Sequence, residues 1–421
     1  MKKITTLMVL LLATAAAGQA QEVSITPELT AAVQKYDIVQ NFQDGHAAVC
    51  KDGKWGYIDA QGREVIAPLV PKTFDLCADR DDYGFYRDGS YVRNYSDGMV
   101  AVAREVSGAK QNYDRQLKWA YFDAQGKQVT DYIYDEAADF SDGLAWVSND
   151  KVHGFIDHTG ALAIDGTKYY SQELGELNYT FHEGLCCVAK TVTGPEGDVL
   201  VKWGYIDRTG AEVIACDYDQ AKPFSEGRAA VAINRDDLAD AQYPVAYSYI
   251  DHTGKTVLTM PAGKECGNFS CGLASVTTDG NKFGFIDTTG TQVIAENYYT
   301  DDTAMPVVMA DFKEGYTLVG TDATQGEDIV VTYRLMDKAG LTLDRVVQGP
   351  VCGGLVLVAQ GGKLGFTKPD GTPAINCRYD FSPTSAGGEL INGTYRFSQG
   401  LAAVRLAGKW GYVDPQGHST F

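Results

Sequence analysis

A chain of 421 residues with 55 acidic against 36 basic side chains carries a formal charge of -19 and has a sequence pI near 4.7. Such a surface repels phosphate backbones and anionic lipid heads, which argues against nucleic acid and membrane-surface partners. The length would allow two or three ordinary domains, but the sequence repeats itself almost throughout, and a repeat array shares one continuous core.

Residues 1–20 read as a secretory signal peptide: Lys2 and Lys3, an apolar run from Ile4 to Ala17, then Gly18-Gln19-Ala20, with cleavage expected after Ala20. The run is too short for a comfortable membrane span, and no later run approaches the roughly 20 residues one needs. The first cysteine, Cys50, is far from it, so the lipid-anchor arrangement of a lipoprotein is missing. The mature chain is expected to be exported, periplasmic or extracellular, without a transmembrane segment. Because the segment removed holds two lysines and no acid, the charge goes from -19 to -21. Residues 21–41 form a lead-in that ends in Tyr36-Asp37, the tail of a repeat unit, and the array runs from 42 to 421.

The unit reads Phe, two residues, Gly, alternating small apolar residues to Val, a variable connection, Lys-Trp-Gly-Tyr-Ile-Asp, a short turn closed by Gly, then Val-Ile leading to Tyr-Asp. The first copy is Phe42, Gly45, Val49, Lys54 to Asp59, Gly62 and Val65-Ile66. The second is Tyr95, Gly98, Val102, Lys118-Trp119-Ala120-Tyr121-Phe122-Asp123 and Gly126. Phe140 to Gly160 make a third, and Phe181 to Asp219 a nearly ideal fourth around Lys202 to Asp207. Phe224 to Gly254 and Phe269 to Gly290 follow. Degenerate copies span Phe312 to Gly340 and Gly354 to Gly371, and Phe397 to Gly417 is sharp again around Lys409 to Asp414.

Period-two alternation of β-branched and aromatic residues predicts strands, and no stretch of the mature chain shows sustained helical periodicity. Each unit is read as a three-stranded antiparallel meander, giving about nine. Between its second and third strands stands a turn such as Asp59-Ala60-Gln61-Gly62, with Asp where a side chain accepts from backbone N–H groups and Gly where positive φ is needed. The chain begins with the tail of a unit and its last unit stops soon after Gly417. That phase shift suits a closed β-propeller and an open array alike. Nine uneven units exceed the usual four to eight blades, so the expected fold is all-β, an open twisted solenoid-like array, with the closed propeller as alternative.

Nine cysteines in an exported chain raise the question of disulfides. Cys216 and Cys377 fill the same repeat slot, which marks them as tolerated small residues. Cys186 and Cys187 are neighbours on one predicted strand, pointing to opposite faces. Cys266 and Cys271 alone are close enough in sequence to suggest a local bridge. Zinc spacings are missing. Asp79-Arg80-Asp81-Asp82-Tyr83-Gly84 is a faint calcium-loop pattern, but Tyr83 and Ser90 stand where oxygen ligands are needed. No metal and no cofactor is expected.

At Trp55-Gly56, Trp203-Gly204 and Trp410-Gly411, within Lys-Trp-Gly-Tyr-Ile/Val-Asp, the chain resembles the WG-repeat family, also called KWG repeats. The likeness covers about Phe42 to Gly417. Departures are Val152-His153, Phe283, Tyr333-Arg334 and Leu364. The resemblance implies a repetitive β-scaffold with a binding role. A looser likeness ties the aromatic-Ile-Asp-turn-Gly hairpins to cell-wall-binding repeats. Neither likeness supplies a catalytic residue.

On a strand Trp55, Tyr57 and Asp59 share one face, while Gly56 and Ile58 take the other. Read as function, Trp55, Tyr57, Trp119, Tyr121, Trp203, Tyr205, Trp410 and Tyr412 form a ladder of aromatic platforms for sugars or peptides. Read as structure, each pair packs on the neighbouring unit, and replacement by Phe283 or Leu364 fits a core slot. The six histidines make no site, and a residue repeated nine times is scaffold, whereas catalysis needs a unique constellation. The chain is therefore expected to be a non-enzymatic exported repeat scaffold that binds a protein or a cell-envelope polysaccharide. The alternative is a structural or assembly component with no small ligand. A specific site is expected in what the repeats do not share, including the inserts Lys72 to Arg93 and Thr191 to Val201.

Overall fold

The computed structural model describes residues 22–71, 93–105, 117–169, 179–194, 196–235, 244–280, 282–299, 311–325, 328–381 and 394–421. Residues 1–20, read from the sequence as a signal peptide, most of the Lys72 to Arg93 insert and the Asp79 to Gly84 pattern lie outside the described residues. The repeats fold into nine antiparallel sheets in chain order. The first is Ile38–Val39, His46–Lys51, Lys54–Asp59 and Glu64–Pro71, each strand paired to the next. The fourth is Phe181–His182, Leu185–Thr193, Val199–Asp207 and Glu212–Tyr218. Seven sheets have three or four strands, and two, Met99–Glu105 with Leu117–Asp123 and Ala402–Leu406 with Lys409–Val413, are hairpins.

Five of the sheets have a fourth strand that alternation does not reveal, because it is only two residues long in most of them, as at Ile38–Val39. In three of them, at Ile38–Val39, Glu136–Ala137 and Gln220–Ala221, it directly follows the Tyr-Asp lead-in to the Phe. Asp37 shows why that lead-in is specified: its carboxylate accepts from Asp52 N at 2.7 Å, pinning the short strand beside the second. Asp219 and Asp380 do the same for Asn234 N and Gly408 N.

The sheets close into a ring, so the fold is a β-propeller, the alternative from the sequence, and not the expected open solenoid-like array of uneven three-stranded units. Contacts that join one sheet to the next recur between the last and the first. Ser96, Ser141, Ser225 and Ser270 each donate a hydroxyl to the carbonyl of the next sheet's Phe, at 2.5 to 2.7 Å, and Ser398 donates to Phe42 O at 2.6 Å. One core cluster accordingly contains Phe42, Val49 and Ile58 together with Phe397, Trp410 and Tyr412. An open array would leave those faces bare.

A short helix, Pro27–Val33, helps to seal the seam. Seven residues are too few to show a period, so the sequence hides it. Its start is signalled by Thr26, whose hydroxyl accepts from Leu29 N, followed by Pro27. Inside the ring, the turn glycine of one sheet lies against the last strand of the previous one: Gly210 on Ile164, Gly254 on Ile214, Gly290 on Leu258. At the seam Gly62 lies on Ala32 and Leu29 of the helix instead, and Gln34 donates to Thr420 O. The helix stands in for an outer strand that the ninth sheet has only as the Val413–Ser419 bridge.

The motif glycine is set by the neighbouring strand. Between Trp203 and Tyr205 the partner moves from Tyr218 to Ile214, so four residues of the last strand pass two of the third. This arch brings Ile214 O to 2.6 Å from where a Cβ on Gly204 would stand, and Gly56, Gly284 and Gly365 sit under equivalent arches. Where the sequence has Ser248 or Arg334 in that slot, those residues pair directly with Thr259 and Val346, and the arch is absent. Where it has Ala120, the last strand is reduced to isolated bridges, Trp119 to Tyr134 and Phe122 to Gln128. Gly204→Ala should therefore cost about 1–3 kcal/mol from overpacking against fixed backbone, whereas Ser248→Ala should be nearly silent. Urea unfolding of the two variants checks this, and equal losses would show that the arch does not set the glycine.

Candidate functional site

Each residue of the Lys-Trp-Gly-Tyr-Ile-Asp motif has a partner that accounts for it. Lys118, Lys202 and Lys363 pair with Asp135, Asp219 and Asp380 at 2.5 to 2.6 Å, joining the motif to the lead-in strand of the following unit. Ile58, Ile156, Ile206, Ile250 and Ile286 are buried. The closing Asp turns back on the backbone: Asp207 Oδ1 accepts from Thr209 N, Thr209 Oγ1 and Ala211 N.

The aromatic residues meet the next sheet. Tyr57, Tyr121, Tyr205, Tyr249 and Tyr412 each donate a hydroxyl to the carbonyl two residues before the next sheet's Phe or Tyr, at Arg93, Ala138, Lys222, Gly267 and Gln40, over 2.5 to 2.8 Å. Their rings sit against the following aromatic, as in Tyr205–Phe224 at 4.9 Å and Tyr412–Phe42 at 5.0 Å between centroids. Burial pushes the Tyr57, Tyr121, Tyr205 and Tyr412 phenols far above their ordinary range, so they remain donors at any physiological pH.

Of the eight aromatic residues proposed from sequence as a binding ladder, Trp55, Tyr57, Trp119, Tyr121, Tyr205, Trp410 and Tyr412 are at most 8% exposed, and Trp203 is half-buried. They are brought together, but as the glue between sheets. For the seven buried ones, the faces are covered by neighbouring side chains.

Two rims stand open to a partner. Because strands alternate in direction, the Phe-x-x-Gly turns and the Asp-x-x-Gly turns gather on one rim, and the loops between second and third strands on the other. The first rim is regular. Asp44, Asp97, Asp142, Glu183 and Glu226 adopt positive φ of 49 to 54°, and each carboxylate accepts from the glycine N–H of the next sheet's turn, at 2.5 to 3.0 Å. Gln399 of the ninth sheet does the same for Gly45 of the first. His158 and His252, equivalent in the repeat, stack on Phe140 and Phe224 and reach Asp97 and Glu183 of the preceding sheet. Their recurrence is thus structural, and among the described residues no group of three or more His, Cys, Asp or Glu is placed to hold a metal.

The other rim is irregular. There the insert from Thr191 to Val201 extends the second and third strands of the fourth sheet by the pairs Thr191–Val201, Val192–Leu200 and Thr193–Val199. Val199 at its tip is 63% exposed. No sequence signal beyond its length marked this hairpin as a projecting element.

Cys266 and Cys271 are both free thiols, so the suggested local bridge is not made. Cys266 is buried on the first strand of the sixth sheet, where burial pushes its thiol up to about 12, and Cys271 occupies the positive-φ turn slot. Cys187 and Cys216 are likewise raised, to about 12 and about 11.

The model of the WG-containing repeat family matches the chain at residues 33–55, 55–70, 119–152, 203–235 and 391–410. The WG-containing repeats so matched fall on the first, second, third, fourth, fifth and ninth sheets. No curated protein matches the sequence. Among solved structures, BamB from Moraxella catarrhalis is similar at 13% identity over 68% of this chain and 86% of its own, with a TM-score of 0.32. AztD from Citrobacter koseri, in its apo form, is similar at 14% identity over 90% of each chain, TM-score 0.32. The β-propeller domain of the Trilobed protease from Pyrococcus furiosus is similar at 8% identity over 77% of this chain and 92% of its own, TM-score 0.30.

The turn carboxylates give a pH dependence of known sign. Asp157, Asp207, Asp251 and Asp287 are held below the ordinary 3.8 by the Thr hydroxyl two residues on, with backbone N–H groups adding to it. A depressed carboxylate pKa contributes stability that is complete above about pH 4 and is lost as the pH falls further. Thr209→Val and Thr289→Val should lower the melting temperature at pH 7 and leave it unchanged near pH 2. Equal lowering at both pH values would show that the hydroxyls act through packing.

Proposed function

We propose that this protein is a non-catalytic propeller scaffold of the exported compartment, a structural or assembly component whose repeated residues hold the ring and whose partners meet its unshared loops. The observation that carries this is the burial of the repeated aromatic residues at the sheet junctions, with their hydroxyls already committed to backbone carbonyls. A role without enzymatic activity fits a molecule whose polar motif residues are consumed in turns and ion pairs. Export rests on the segment of residues 1–20. Recognition of a protein or a cell-envelope polysaccharide belongs to the irregular rim, where the Thr191–Val201 hairpin stands clear of the ring.

Capture from envelope extract with the full-length chain tests this. Shortening the hairpin between Thr191 and Val201 to a tight turn should reduce the captured partner with an unchanged melting temperature. Trp119→Ala and Trp410→Ala should instead cost about 3–5 kcal/mol of stability, as deletion of a buried indole does. Loss of a partner by the tryptophan variants at unchanged stability would return the aromatic ladder to a recognition role. Fractionation that finds the chain with cytoplasmic markers would overturn the exported location.

A further inference from the structure

The regular rim lacks its acid or amide at two places, Cys271 of the sixth sheet and Gly353 of the eighth, and around the second lies a recess of about 420 Å³. Its lining comes from turns of three successive sheets: Tyr316 from the seventh, Gly353, Lys368, Pro369 and Asp370 from the eighth, Gln416 from the ninth. Several of these depart from the repeat. Gly353 stands where Asp44, Asp97, Asp142, Glu183, Glu226 and Glu314 place an acid, so no side chain reaches across to the ninth sheet there. Lys368 opens a turn that begins with Asp in the other sheets. Tyr316 follows its turn glycine where Leu144, Leu185, Leu273, Leu355 and Leu401 do. Scaffold residues recur; this set occurs once, which is the property a specific site requires.

We infer that this recess binds a neutral saccharide end of one or two rings. The volume lies at the lower end of the roughly 300–1,000 Å³ typical of small-ligand sites. Tyr316, Ala374 and the prolines 369 and 415 supply apolar surface. Beside them stand the donor Lys368, the acceptor Asp370 and the amide of Gln416, which is both. A sugar ring matches that mixture, having an apolar C–H face for an aromatic plate and hydroxyls that both donate and accept. An anionic ligand matches it poorly. Lys368 is opposed by Asp370, Glu314 already spends its carboxylate on Gly353 N and Gly354 N at 2.9 and 2.7 Å, and the chain carries -19 overall. An extended peptide would need a strand edge or an aromatic-lined groove, and the recess offers turns and a single aromatic residue.

This inference rests on the reading of the protein as a non-catalytic scaffold and adds a ligand to it. Its test is calorimetric titration of the full chain with maltose, cellobiose and chitobiose, alongside glucuronic acid. At least one neutral disaccharide should bind, and more tightly than glucuronic acid. Tyr316→Leu, the residue of five other sheets, and Gln416→Ala should each weaken binding roughly tenfold, the worth of one good contact. Both should leave the melting temperature and the capture of partners by the Thr191–Val201 hairpin unchanged. Lack of binding at about 10 mM, ten times a weak Kd of about 1 mM, would overturn the saccharide site. So would binding that both variants leave intact, or tighter binding of glucuronic acid. None of these would touch the scaffold reading, which fails only if the hairpin variant still captures every partner.

Discussion

One contact organises the molecule: the aromatic residue of the motif in one sheet laid against the aromatic residue that opens the next. It recurs at eight junctions, from Tyr57–Tyr95 through Tyr121–Phe140, Phe155–Phe181, Tyr205–Phe224, Tyr249–Phe269, Phe285–Phe312 and Phe366–Phe397 to Tyr412–Phe42, with centroids 4.7 to 5.4 Å apart. Such pairs add about 0.5–1.5 kcal/mol each beyond the area they bury. At the seventh-to-eighth junction Leu335 and Val351 meet instead, in one apolar cluster. A two- or three-stranded sheet has too little hydrophobic face to stand alone, so stability is shared between neighbours. Closing the ring removes the two bare faces an open array would keep.

The same contact explains why the most recognisable feature of the sequence is largely buried. A tyrosine whose ring is packed and whose hydroxyl has a carbonyl partner has no capacity left for a ligand. Departures from the motif follow packing rules. Phe155, Phe285 and Phe366 keep the ring and drop the hydroxyl, and the junction survives. Chemistry that is free to vary is confined to the rims, and the rims differ in kind. On one, carboxylates are tied turn to turn by backbone N–H groups. On the other, loop length is unconstrained because a hairpin can lengthen without disturbing the ring, as the extension at Thr193–Val199 shows.

Much of the local structure was legible in the residues. The Asp-x-x-Gly turns form as read, with the Asp side chain accepting from the N–H groups two and four residues on, at Gln61 and Arg63 for Asp59. The second and third strands of the units fall where alternation places them, since a strand with one face against its neighbour must alternate. The two-residue lead-in strands and the seven-residue helix were not legible, because neither is long enough to express a period. The Lys-to-Asp pairs that fix the lead-in join residues 17 apart, and spacing alone does not mark them as partners.

The sequence by itself determined that the protein is a β-repeat array and where its longer strands and Asp-x-x-Gly turns lie. It could do so because turn chemistry and period-two alternation act over a few residues and are written in order along the chain. Only the tertiary structure decided that the array closes. Closure depends on whether the accumulated twist and tilt of successive sheets bring Tyr412 to Gln40 and Ser398 to Phe42, across more than 350 residues of sequence. The same holds for the aromatic ladder: one strand face is read correctly as aromatic, but whether it looks at water or at the next sheet is a property of how the sheets stack.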